Sequence, residues 1–211
     1  MSRELHVIDH PLVQHKLTLL RDKEVSTRGF RALTQEIGAL LAYEIMRDAP
    51  TRPVQVQTPV GVAEGVALDG KKLVLVAILR AGLGVLDGML TIVPSARVGH
   101  VGLYREPRLR TAIEYYLKLP AGMQDRDAIV ISSVLATGGT AAAAVLRVRE
   151  AGARSVRFAC LVASPEGVSR FHDEHPDVPV FTCAVDQGGL DERGFIVPGL
   201  GDVGDRLYGT E

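Results

Sequence analysis

The chain has 211 residues, with Lys+Arg 24 against Asp+Glu 25 and a formal charge of −1. That balance excludes a nucleic-acid protein that works through a broad basic field. Apolar residues make up 46% and charged residues 23%, which excludes a disordered chain. It fits a single domain, residues 1–211, able to bury its core without a disulfide or metal staple.

Residues 1–10 carry charges and no apolar run, so they do not read as a secretory signal. Residues 11–21 (PLVQHKLTLLR) open on a proline and set Leu12, His15/Lys16 and Leu19 on related faces, which predicts a helix. Ser26 or Thr27 caps a second, longer helix running to about residue 48, with Phe30, Leu33, Ile37, Leu40, Leu41 and Ile45 three and four apart. Four short apolar runs follow: 73–79 (LVLVAIL), 128–132 (AIVIS), 156–162 (VRFACLV) and 178–185 (VPVFTCAV). They do not alternate, so they read as strands covered on both faces, as in a parallel sheet. Pro179 suits the edge or the start of its strand. Helical stretches at 83–92, 139–151 and 166–175 lie between them. The order predicts an α/β fold, a parallel sheet flanked by helices. The run at 73–79 is too short to span a membrane and ends on Arg80. Cys160 and Cys183 sit in apolar runs and read as free buried thiols rather than a disulfide between adjacent strands. The expectation is a soluble, cytoplasmic protein.

Two segments stand apart. Residues 98–104 and 112–118, joined by 105–111, read as a β-hairpin flap. After Asp186 the chain carries Gly188, Gly189, Gly194, Gly199, Gly201, Gly204 and Gly209. This tail reads as a loop that packs tightly or binds something.

Residues 128–140 (AIVISSVLATGGT) run from strand through Thr-Gly-Gly-Thr into a helix. Unpaired amides at a helix start, glycines that let an anion approach, and the Thr137 and Thr140 hydroxyls suit a phosphate. A helix cap with a tight turn remains the plain alternative. No Lys follows the glycines, so this is not a Walker A loop. Arg80 ends another strand before a small-residue turn and could clamp a phosphate bidentately, although an Arg there is more often in a surface ion pair. Arg105 in the flap is a weaker candidate of the same kind. His172 and His175 lack a second pair of ligands, so a solvated face is favoured over a metal site.

The segments DHPLVQHKLTLLRDK (9–23), ILRAGLG (78–84), LATGGT (135–140), VASPEGVSRFHDEHPDV (162–178) and above all GFIVPGLGDVGDRLYGT (194–210) resemble the uracil phosphoribosyltransferase family over nearly the whole chain. The resemblance implies a type I phosphoribosyltransferase fold, with a small hood formed by the β-hairpin flap (98–118) and the C-terminal loop (186–211). It implies the reaction of uracil with 5-phosphoribosyl 1-diphosphate (PRPP), giving UMP and diphosphate, with Mg²⁺. By resemblance, PRPP falls on Arg80, Arg105, Asp202 and the run Ser132, Ser133, Val134, Leu135, Ala136, Thr137, Gly138, Gly139 and Thr140. The 5′-phosphate takes the last five of that run. Arg80, Arg105 and Asp202 take the catalytic roles. Uracil falls on Ile196, Gly201, Asp202 and Val203, largely through main chain. No residue is implied as a direct metal ligand; Mg²⁺ comes with PRPP, and Asp202 can meet it through water. The resemblance also implies a homodimer or larger, with GTP regulation in parts of the family, and no nucleic-acid or membrane partner.

One departure bears on activity. Ser132 stands where the family has an Asp that holds the ribose hydroxyls. Replacing a charged hydrogen bond by a neutral one loses about 1–2 kcal/mol, roughly a 5- to 30-fold weaker hold on PRPP. The flap is more basic than the family's at Arg108 and Arg110, and has Ala112 where Pro is common. Gly188-Gly189-Leu190-Asp191 is one residue longer than the family's Gly-Leu-Asn. These changes keep open a second reading, a non-catalytic UMP- or PRPP-binding sensor. A purine or orotate substrate is disfavoured, because the base-reading residues match the uracil family.

Overall fold

The computed structural model describes residues 3–105 and 112–210. Its centre is an eight-stranded sheet. The strands are β1 (Leu5–Val7), β4 (Val74–Leu79), β5 (Arg97–Arg105), β6 (Ala112–Lys118), β7 (Asp127–Ile131), β8 (Val134–Leu135), β9 (Ser155–Ala163) and β10 (Val180–Val185). Their order is β1-β10-β9-β7-β4-β5-β6, with β8 continuing beside β9. Every pairing is parallel except β5 with β6. β4 is buried along nearly its whole length, the mark of a strand covered on both faces.

Helices α1 (Pro11–Arg21), α2 (Thr27–Ile45), α3 (Gly82–Ile92) and α6 (Val203–Tyr208) share one apolar core with the sheet. Helices α4 (Gly139–Glu150) and α5 (Pro165–Glu174) share the other. Ser26 caps α2 through its hydroxyl, which accepts from the Gly29 amide at 3.1 Å. The two helices α2 and α3 meet backbone to backbone: a Cβ at Gly88 would lie 1.9 Å from the Gln35 carbonyl oxygen.

Topology creates the crevice. The chain leaves β4 toward β5 over one face, through α3. It leaves β7 toward β9 over the other, through α4. The loops after β4 and β7 therefore diverge at their carboxyl ends and leave a gap between them, the usual ligand position of an open parallel sheet.

β5, the first flap strand, also pairs with β4 and so joins the hairpin to the main sheet. Several expectations are corrected. The tail is not all loop: Val203–Tyr208 is helical, with Asp202 as its N-cap. His172 and His175 do not face solvent; they are 2% and 6% exposed, packed on Phe171. His175 Nε2 lies 3.0 Å from the Ala142 carbonyl, so His175 ties the end of α5 to α4. Burial holds the His172 ring's pKa below its ordinary value. Two features lay outside the sequence reading, the edge strand β1 and an antiparallel arm of β2 (Thr51–Thr58) with β3 (Gly61–Leu68).

Cys160 and Cys183 are free and buried. Thr182, not Cys183, pairs with Cys160, so the two thiols lie in opposite cores. Burial pushes the Cys160 thiol up to about 12.

At the amino ends of the strands, Asp127 accepts from Arg154 at 2.6 and 3.0 Å and from Ser155 at 2.6 Å. Asp177 accepts from Arg149 at 2.9 and 3.0 Å. The hydrogen-bonded guanidiniums hold both carboxyls below the ordinary 3.8. Their stabilisation is present above that value and is lost as pH falls through the lower folded values. Denaturant midpoints should therefore fall from about pH 5 toward pH 3. Asp127→Asn should shrink that drop by no more than about 1 kcal/mol, the scale of a surface pair.

Candidate functional site

The crevice between β4 and β7 is a cleft of about 330 Å³. Three chain segments build it.

The first is the turn after β4, Arg80 and Ala81 leading into Gly82. A Cβ at Gly82 would lie 2.7 Å from the Ile131 carbonyl oxygen, so a side chain there would push α3 away from β7. Arg80 is 57% exposed and rests against α6. Its guanidinium is 3.7 Å from Asp205 and 5.7 Å from the centre of the Tyr208 ring. The Tyr208 hydroxyl donates to the Arg80 carbonyl at 3.1 Å. Partial burial raises the pKa of that hydroxyl, so it stays a donor.

The second is the run from Ser132 to the start of α4. The Ser132 amide donates to Ala159 and the Ser133 carbonyl accepts from Leu161, so both are held to β9 while facing the cleft. Gly138 has φ +79° and ends the turn. No side chain among the described residues caps α4. The amides of its first turn lie at the positive end of the helix dipole. The loop is braced from behind by α5. The Ser164 hydroxyl donates to the Ala136 carbonyl at 2.6 Å and accepts from the Gly167 amide at 2.9 Å. A Cβ at Gly167 would lie 2.3 Å from the Ala136 carbonyl oxygen and 2.4 Å from that of Leu135.

The third is the tail. Gly201, Asp202, Val203 and Gly204 line the cleft, with Phe195 beside them. Asp202 Oδ1 accepts from the Asp205 amide at 3.0 Å, which starts α6 and leaves the other carboxylate oxygen free of that bond.

Of the residues singled out from sequence, Arg80, Ser132 through Gly138, Thr140, Gly201, Asp202 and Val203 all line this one cleft. Gly139 does not; its Cα faces the Arg170 guanidinium. The Ile196 side chain is buried in the apolar core and is not among those lining the cleft. Arg105 ends β5, and its side chain lies outside the described residues, as do Arg108 and Arg110. Sequence reasoning missed Leu103 and Phe195 in the lining. Both are ordinary apolar residues whose position depends on tertiary packing. Among the described residues no three His, Cys, Asp or Glu side chains form a metal cluster.

Comparison with known proteins agrees with the geometry. The sequence model described as "Uracil phosphoribosyltransferase" matches residues 7–210. The chain is similar to a uracil phosphoribosyltransferase of Rhodococcus jostii, 58% identical over 207 residues, covering 98% of this chain and 99% of that one. It is 56% identical over 208 residues to one of Legionella pneumophila, covering 99% and 97%. Among solved structures, the AQ2163 protein of Aquifex aeolicus superposes with a TM-score of 0.92 at 34% identity, covering 98% and 99%. An adenine phosphoribosyltransferase of Trypanosoma brucei superposes at 0.59 and 14% identity, covering 91% and 88%, a likeness of fold alone.

Gly167→Ala tests the bracing of the loop. The added methyl meets two backbone oxygens, so the loop or α5 must move. Stability should fall by about 1–3 kcal/mol, read from a denaturant midpoint. Affinity for phosphate-bearing ligands should fall with it, read by calorimetry.

Proposed function

We infer that this chain, which belongs to the uracil phosphoribosyltransferase family, joins uracil to PRPP and releases UMP and diphosphate. The observation that carries the reading is convergence. A strand-end arginine, an uncapped helix start and a glycine-bearing tail line one cleft at the point where the sheet's connections diverge.

The division of labour follows from the chemistry. The 5′-phosphate sits against the amides from Ala136 to Thr140, with the Thr137 and Thr140 hydroxyls as further donors. Ser132 and Ser133 take the ribose hydroxyls. Arg80, oriented by Asp205 and Tyr208, meets the diphosphate and stabilises the negative charge that grows as it leaves. Arg105 is proposed for the same diphosphate from the flap. The main chain of Ile196 and of Gly201, Asp202 and Val203 reads the flat imide of uracil. Leu103 and Phe195 add apolar surface that excludes water from the activated sugar.

Mg²⁺ belongs to this reading. A hard cation bound mainly through substrate phosphates needs only one or two carboxylates, and the cleft supplies Asp202, with one oxygen outside its capping bond. The ion would neutralise diphosphate charge in the transition state.

The chain is proposed to act as one domain, with residues 98–118 and 186–211 as a hood over the cleft, and in the cytoplasm, where two free buried thiols are at home. No helix among the described residues is long and apolar enough to cross a membrane. It is further proposed to work as a homodimer or larger. Val62, Val66 and Leu68 lie on one face of β3, interrupted by Glu64, and are 66%, 73% and 54% exposed. A two-stranded hairpin is only marginally stable alone, so such a face calls for a partner surface.

Two measurements test the reading. UMP formation should be seen with uracil, PRPP and Mg²⁺ when PRPP is varied to high concentration. Ser132→Asp should then lower the KM for PRPP by roughly 5- to 30-fold. An unchanged KM would refute the role given to Ser132. No turnover at saturating PRPP, with UMP still bound, would move the protein to the sensor reading. Sedimentation should give a dimer or larger, and Val62→Glu with Val66→Glu should reduce it to monomer; a monomeric parent chain would sink the oligomer.

A further inference from the structure

The tail that lines the cleft is glycine-bearing and would be loose by itself. Gly199 and Gly201 both have positive φ, at +57° and +68°. Such residues lose much conformational freedom when fixed. Something must hold them for their neighbours to present amides and carbonyls in a fixed array.

Two arginines from different helices do this. Arg21, the last residue of α1, meets Asp186 at the end of β10 through both guanidinium nitrogens, at 2.7 and 2.8 Å. The same Arg21 Nη1 donates to the Gly199 carbonyl at 2.8 Å. Asp186 Oδ2 accepts from the Gly199 amide at 2.9 Å. Both polar groups of one glycine are therefore tied to one ion pair, and Asp186 is only 7% exposed. Arg206 of α6 donates to the next carbonyl, that of Leu200, at 2.9 Å. Its other nitrogen donates to the Asp22 carbonyl, and its plane lies 4.2 Å from the centre of the Phe30 ring. Consecutive carbonyls at 199 and 200 are thus fixed by two forks, while the next residues, Gly201 to Gly204, line the cleft.

We propose that Arg21, with Asp186, and Arg206 are positioning residues for base recognition. They turn the 199–200 carbonyls away from the cleft and hold the 201–203 main chain in the array that reads the base. This rests on the reading above, in which that main chain meets uracil. None of the three touches substrate. Their effect falls first on uracil, because they hold the 199–200 segment directly, whereas Asp202 and Arg80 on the PRPP side keep contacts of their own: Asp202 to the Asp205 amide, and Arg80 to Asp205 and Tyr208.

The test is steady-state kinetics with both substrates varied, on the full chain. Arg21→Lys and Arg206→Lys keep the charge and lose the planar fork. Each should raise the KM for uracil by about tenfold while the KM for PRPP stays within about twofold. Asp186→Asn keeps an acceptor for the Gly199 amide and serves where Arg21→Lys folds poorly; it should show the same split more weakly. A fall in kcat that tracks the folded fraction, with neither KM moved, would overturn the proposal and leave a structural tie. An equal rise in both KM values would also overturn it. The parent chain is the control: failure to form UMP from uracil would remove the functional reading and this role with it. Turnover by the parent with an unmoved uracil KM in the variants would remove this role alone.

Discussion

Strands that run parallel bring everything at their carboxyl ends to one edge of the sheet. That constraint organises the molecule. β4, β7, β9 and β10 are neighbours with a common direction, so Arg80, the Ser132–Thr140 run, the start of α5 and Asp186 all emerge on the same side. The divergence of α3 and α4 to opposite faces then opens the cleft. The chemistry is concentrated in loops because the strands themselves are committed to burying two cores.

The loops are held by polar contacts as well as by apolar packing of Leu135, Ile196, Leu200 and Val203. Ser164 braces the phosphate-type loop from behind, and Asp186 with Arg21 braces the tail. Buried charges are tolerated there because each is paired and hydrogen-bonded. The close approach of α5 to the loop leaves no room for a side chain at Gly167. Rigidity at the cleft edge therefore comes from backbone oxygens that are already occupied, which leaves the remaining amides fixed in direction for a ligand.

The order of strands and helices was legible because it rests on local pattern. The run 73–79 had no polar interruption, and a strand buried on both faces needs none. The Pro11 and Ser26 starts were legible because capping is local. The arm at 51–68 was not: Val54-Gln55-Val56-Gln57 alternates, but the run is short, and Pro53, Gly61 and Gly65 interrupt the strand signal around it. His172 and His175 were misread for another reason. Polar residues on a helix next to charges resemble a solvated face, and only tertiary packing buries them. The tail helix was hidden by its glycines and is only six residues long.

By itself the sequence determined the fold class, the helices and buried strands, the anion-type loop, and the tail motif through which it resembles its family. These depend on residue types and spacings within a few positions of one another. Only the tertiary structure decided that Arg80 leans on Tyr208 and Asp205, that the Ile196 side chain is buried, and that Arg21 reaches Gly199. Those partners are far apart in the chain, and no local rule brings them together. Their meeting is set by where the packed helices α1 and α6 end against the sheet.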